Sequence, residues 1–276
     1  MDIQTKKITL KARKQVFGDM LGNNASLFQG EGFEFAELRE YIYGDDVRKI
    51  DWKTTAKLGK PYVKIYREER ELNVVVATML GGSTYFGTCC QKSEYIAQIV
   101  AMLGFSAIKN NDPFTHLIHA DRLYHHAKPS KKLYAVTQAV ETTLAFDPLG
   151  KTSDYADWTQ TLFRRLRKKS LLFLISDFVG EVDLRLLSRK HDLFAIMVRD
   201  RFEEQPQELG YLRLVDPEGG NSYEGEVGST LLAHYRARLK ANDHALYRQF
   251  RQNGIRYAKL LTDEDPAIGL HKRMRK

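Results

Sequence analysis

Short, unbroken apolar runs separated by amphipathic stretches constrain this chain more than any other feature. Residues 74–77 read Val-Val-Val-Ala, and residues 171–175 read Leu-Leu-Phe-Leu-Ile. A run of that length with no polar alternation suits a strand buried on both faces. Between the runs the period changes. Residues 93–109 put Ile96, Ile99, Val100, Leu103 and Ala107 on one side of a helix. Helices are also predicted over 132–144, 155–168, 184–190 and 231–253, the last closed by Gly254. Further strands are predicted over 114–119, 193–198 and 257–261, with a short return strand at 123–125. Residues 211–215 and 222–227 read as a hairpin around Asp216-Pro217-Glu218-Gly219-Gly220. Strands alternating with helices argue for an α/β domain whose mostly parallel sheet is flanked by helices. Functional loops of such a sheet lie beyond the carboxyl ends of its strands. Here those loops are 79–83, the stretch around 151–154, and Ser176-Asp177.

The first seventy residues follow another pattern. Residues 9–21 have a helical period and end at Gly22-Asn23-Asn24. A glycine-rich loop at 30–34 leads into alternating acids and bases at 35–41. Gly44-Asp45-Asp46 reads as a turn with a carboxylate placed to cap the helical turn after it. Residues 61–66 alternate as a strand, and 265–276 form a basic helical tail.

Composition narrows the classes. No apolar run approaches the length needed to cross a bilayer, and the first residues lack the apolar core of a secretion signal. The two cysteines, Cys89 and Cys90, are adjacent, which disfavours a bridge between them and points to reduced thiols in a cytoplasmic protein. The formal net charge is +8 and the pI near 9.3. Basic runs at 164–169 and 271–276 carry part of it, and without a nucleic-acid motif a solvated basic face is the plainer reading.

The stretch between residues 30 and 70 resembles a bacterial family known as domain of unknown function fifty-eight. Matching positions are Ser26, Gly30, Gly32, Glu34, Phe35, Leu38, Arg39, Tyr41, Gly44, Asp45, Asp46, Val47, Arg48, Ile50, Asp51, Trp52, Ala56, Glu68, Glu69 and Arg70. The run Asp46-Val47-Arg48-Lys49-Ile50-Asp51-Trp52-Lys53 is the most specific piece. The remainder resembles the von Willebrand factor A-like (Rossmann-like) domain that follows in that family. Its markers here are Phe86-Gly87, Ile175-Ser176-Asp177-Phe178, Arg189-Lys190-His191-Asp192 and Asp216-Pro217. The resemblance implies an N-terminal signature segment over 1–71 and an A-like domain over 72–276. It also implies a divalent-cation site at the strand tips. The loop that should read Asp-x-Ser-x-Ser has Met79, Gly81 and Ser83 instead, with Ser153, Asp154 and Asp177 on the other two loops. A thioether is a poor magnesium ligand, so the resemblance predicts a disarmed site with no metal and no cofactor. Met79, Gly81, Gly82, Ser83, Ser153, Asp154 and Asp177 are then expected to rim a partner-binding surface. The implied partner is a MoxR-type AAA+ ATPase, with an unknown client protein, in protein maturation or complex assembly.

Other motifs offer alternatives. Glu34, Arg39, Asp45, Asp46, Arg48, Asp51 and Trp52 form either a salt-bridged structural turn anchored by Trp52 in the core or, in a hydrolase, an acidic cluster working as Asp177 could. Gly30-Glu31-Gly32 lacks the rest of a phosphate loop. His116, His119, His125 and His126 lack metal-ligand spacing with any Cys or carboxylate, and an exposed hairpin accounts for them. No nucleophile elbow or phosphoryl-transfer motif is present. The residues thus favour a non-enzymatic interaction protein, with a nucleic-acid or anionic-surface binder and an uncharacterised hydrolase as alternatives.

Overall fold

The computed structural model of the protein describes residues 2–18, 35–66 and 72–274. Along the chain the elements are α1 (Ile3–Gly18), β1 (Phe35–Glu40), α2 (Trp52–Leu58), β2 (Tyr62–Tyr66), β3 (Val74–Met79), α3 (Lys92–Lys109), β4 (Phe114–His119) and β5 (Leu123–His126). They continue with α4 (Leu133–Ala145), α5 (Tyr155–Arg165), β6 (Leu171–Ser176), α6 (Arg185–Lys190), β7 (Asp192–Arg199) and α7 (Arg201–Glu204). The last are β8 (Gly210–Val215), β9 (Ser222–Val227), α8 (Ser229–Gln252), β10 (Arg256–Leu261) and α9 (Pro266–Met274).

The apolar runs become the middle of a six-stranded sheet ordered β10-β7-β6-β3-β4-β5. All neighbours are parallel except β5, which pairs antiparallel with β4 at one edge. Every residue of β3, β4 and β6 is buried, which is why those segments show no alternation. On one face Val75, Ala77, Met79, Leu172, Leu174 and Met197 pack with Tyr155, Trp158 and Leu162 of α5 and with Leu246 and Phe250 of α8. On the other face lies α3, with α4 and α1 packed against it. Gly104 lets α3 and α4 approach closely, because a Cβ there would stand 2.9 Å from both Val136 methyls.

The chain divides into two compact units, Phe28–Glu71 and the rest. The first helix therefore belongs with the large sheet and not with the signature segment. Its Ile8 and Ala12 are buried, and it packs on α3 and α4. In the small unit β1 and β2 form an antiparallel pair, with α2 in the connection between them.

The histidines differ from the exposed hairpin expected of them. His116 and His119 are fully buried, because β5 covers the edge of β4 and only β5 itself is partly open. Both cysteines are free thiols. No helix among the described residues is long and apolar enough to cross a membrane.

Candidate functional site

The carboxyl ends of β3 and β6 bring the expected loops together. Beyond β3, Leu80 N donates to His119 O at 2.8 Å, and Gly82 N donates to Lys151 O at 2.8 Å. Ser83 lies in the single 3-10 turn that follows. Asp154 is the N-cap of α5 and accepts from Asp157 N at 2.9 Å. Ser153, just before it, faces Gly81. Asp177 ends β6 and is 1 % exposed.

Asp177 is held by a cation that belongs to the chain. Lys92, the first residue of α3, is fully buried and sets its Nζ 3.0 Å from Asp177 Oδ2 and 2.6 Å from a Glu203 oxygen. Burial alone would raise the Asp177 pKa, but Lys92 and the nearby Arg199 outweigh it and hold the carboxyl down to about 2. Burial alone would lower the Lys92 pKa, and Asp177 and Glu203 more than reverse it. Tyr155 OH donates to Asp177 Oδ1 at 3.3 Å, and burial raises that phenol well above its ordinary pKa. Each group is thus fixed in its ordinary charge state at neutral pH. Asp177 is a weak base there, and Lys92 has no free amine with which to attack a carbonyl.

A divalent ion does not fit these residues. Magnesium requires an octahedron of hard oxygens about one point. The Lys92 ammonium stands against Asp177, Met79 is an apolar core side chain, and Gly81 offers no side-chain oxygen. Among the described residues no group of three or more His, Cys, Asp or Glu could hold a metal ion.

Residues 37–245 match the family model described as protein of unknown function DUF58. The chain belongs to the DUF58 family. Uncharacterized proteins of Mycobacterium tuberculosis (Rv1480) and Mycobacterium bovis (Mb1516) are each 27 % identical to it over 278 residues, spanning 95 % of this chain and 84 % of theirs. Among solved structures it is similar to conserved hypothetical protein BatB from Bacteroides thetaiotaomicron, with a TM-score of 0.46 and 8 % identity over 74 % of this chain and 97 % of that one. A similar likeness, TM-score 0.45 with 8 % identity, links it to an aerotolerance-related membrane protein from Bacteroides fragilis over 74 % and 98 % of the two chains. The larger unit of this DUF58 chain is a von Willebrand factor A-like sheet, and its strand tips lack a metal-coordinating cluster.

The family signature is mostly backbone chemistry. Asp45 receives Arg39 Nη2 at 2.7 Å and Ile42 N at 2.9 Å. Asp46 caps the turn at Val47–Lys49 through Arg48 N at 3.0 Å, and Asp51 caps α2 through Lys53 N at 3.1 Å. These carboxylates satisfy orphan helix-start amides, which explains their spacing. Trp52 departs from the core anchor that its size suggested. It is 69 % exposed, as the first residue of a seven-residue helix with no buried position. Glu34 lies outside the described residues, as do Ser26, Gly30, Gly32 and the acids at 68–69.

The expected rim is divided by depth. Met79, Gly81, Gly82 and Asp177 are buried, Ser83 and Ser153 are half-buried, and Asp154 is exposed. The buried four build the platform and the other three reach its surface. Sequence reading overlooked Lys92, Glu203, Arg199 and Asp243. Arg199 is fully buried at the end of β7 and pairs with Asp243 of α8 at 3.1 Å. One signal was present: Asp200 and Glu203 stand at capping-box spacing, and both bonds of that box form. Another was a lysine at a helix start, where an acid is favoured.

Proposed function

We propose that this DUF58 chain is a non-enzymatic interaction protein of the cytoplasm that works with a MoxR-type AAA+ ATPase in the maturation or assembly of other proteins. One observation carries the reading. The acidic group most exposed to suspicion of chemistry, Asp177, is spent on an internal ion pair with Lys92. Closed in this way, the strand tips serve as a platform that binds through surface contacts. Ser83, Ser153 and Asp154 are its outward-facing polar members. The ATPase itself is suggested by the family resemblance of the sequence.

The test is capture. Full-length tagged protein is mixed with a MoxR-type ATPase from the same genome, with and without ATP, and complexes are sized by light scattering. A stoichiometric complex that depends on nucleotide is expected. Two separate peaks under every nucleotide condition would remove the ATPase from the account.

A further inference from the structure

The β8–β9 hairpin is held in an unusual way. Along β8 only Leu212 is half-buried, and along β9 only Gly225 and Val227 are buried. Its turn, residues 216–220, is by contrast prefolded and docked. Asp216 accepts from Glu218 N at 2.9 Å and from Gly219 N at 3.0 Å, and Gly220 takes a φ of +70°. The Glu218 carboxylate accepts from Ser153 Oγ at 3.0 Å and from Ser153 N at 3.3 Å. Pro217 O accepts from Gly150 N at 2.8 Å.

The two glycines beneath the turn are shaped to it. A Cβ on Gly81 would overlap Ser153 Oγ and stand 2.7 Å from Glu218 Oε1. A Cβ on Gly82 would overlap the Pro217 carbonyl. Gly81 has a φ of −77°, and Gly82 is not among the residues of positive φ. Glycine is therefore needed here for space and not for backbone conformation. Cations stand beside the contact, with Lys151 two residues from Ser153 and both Lys151 and Arg122 against the Tyr124 ring.

We propose that the cleft formed by Gly81, Gly82, Gly150 and Ser153 is a docking site for a carboxylate-bearing loop, and that the chain's own Glu218 turn is its resident occupant. This deepens the docking reading above by naming the chemistry of the partner: an acidic loop that displaces the turn. Few contacts oppose displacement, since the strands behind the turn are almost wholly exposed and the tip is held by polar bonds. The lost charge-assisted bonds are replaced by those of the incoming carboxylate.

Two variants test this without the ATPase. In Glu218→Ala, hydrogen exchange on the full chain is expected to accelerate about tenfold or more over residues 150–153, with β3 and β6 unchanged. In the second, residues 216–221 are replaced by Asn-Gly, which keeps Val215 opposite Ser222 and removes the plug. A labelled peptide of residues 212–222 should bind that chain about tenfold or more tightly than a peptide with Gln in place of Glu218. Unchanged exchange in Glu218→Ala, or peptide binding that ignores the carboxylate, overturns the proposal. Either result is independent of whether an ATPase is captured.

Discussion

Lys92→Met lowers the unfolding free energy by about 3–5 kcal/mol, the range for removing one partner of a buried ion pair. The physical cause is Asp177, which stays 1 % exposed after its nearest cation is gone. Glu203 loses the same ammonium, but it sits nearer solvent and suffers less. The double variant Lys92→Met with Asp177→Asn recovers much of the loss, because two neutral groups of similar shape remove the uncompensated charge. Urea titrations of the two single variants and the double at pH 7 read the coupling directly. A loss for Lys92→Met below about 1 kcal/mol, the scale of an exposed pair, would mean that the ammonium is not the resident cation of the crevice. The same pair has a pH signature. Asp177 has a folded pKa lowered to about 2, so its contribution is complete above the ordinary carboxylate range and is lost as pH falls toward 2.

His116 makes the protein acid-sensitive in a different window. The ring is fully buried on β4, neither nitrogen has a hydrogen-bond partner, and His125 lies 5.9 Å away ring to ring. Burial, aided by His125, lowers its pKa to about 3. The unfolded chain takes up a proton near pH 6.5 while the folded chain refuses it. Stability is therefore full above pH 6.5 and falls as pH drops toward 3. The limiting slope is about 1.4 kcal/mol per pH unit and the total about 4–5 kcal/mol. His116→Leu removes this proton from the linkage and leaves no unpartnered nitrogen in the sheet. Denaturation between pH 7 and 4 should show a curve for His116→Leu flatter by about one proton than that of the parent. Equal slopes would place the acid sensitivity elsewhere, for instance at His191, which burial lowers to about 4.

Local patterns were legible and distant pairings were not. Val74–Met79 and Leu171–Ser176 announced themselves because strands buried on both faces carry no polar alternation. The hairpin was visible through its Asp-Pro-Glu-Gly-Gly turn, although nothing in those five residues says that Glu218 reaches Ser153. Met79 could be recognised as a missing ligand from its place in the strand-tip loop. The group that stands on Asp177 could not, since Lys92 is 85 positions away and reads as an ordinary basic residue at the edge of an apolar helix. Gly81 and Gly82 looked like a flexible loop, but their meaning is the space taken by Glu218 and Pro217. Trp52 misled because size suggests burial, whereas its position at the start of an exposed short helix decides the outcome.

A crystal grown or soaked in manganese and measured at its absorption edge bears most directly on the central claim, that an internal ammonium occupies the strand-tip crevice. The account predicts continuous density for Lys92 within salt-bridge distance of Asp177 and no anomalous peak between them. A fully occupied, six-coordinate manganese beside Ser83 and Asp177, with Lys92 swung away, would contradict it.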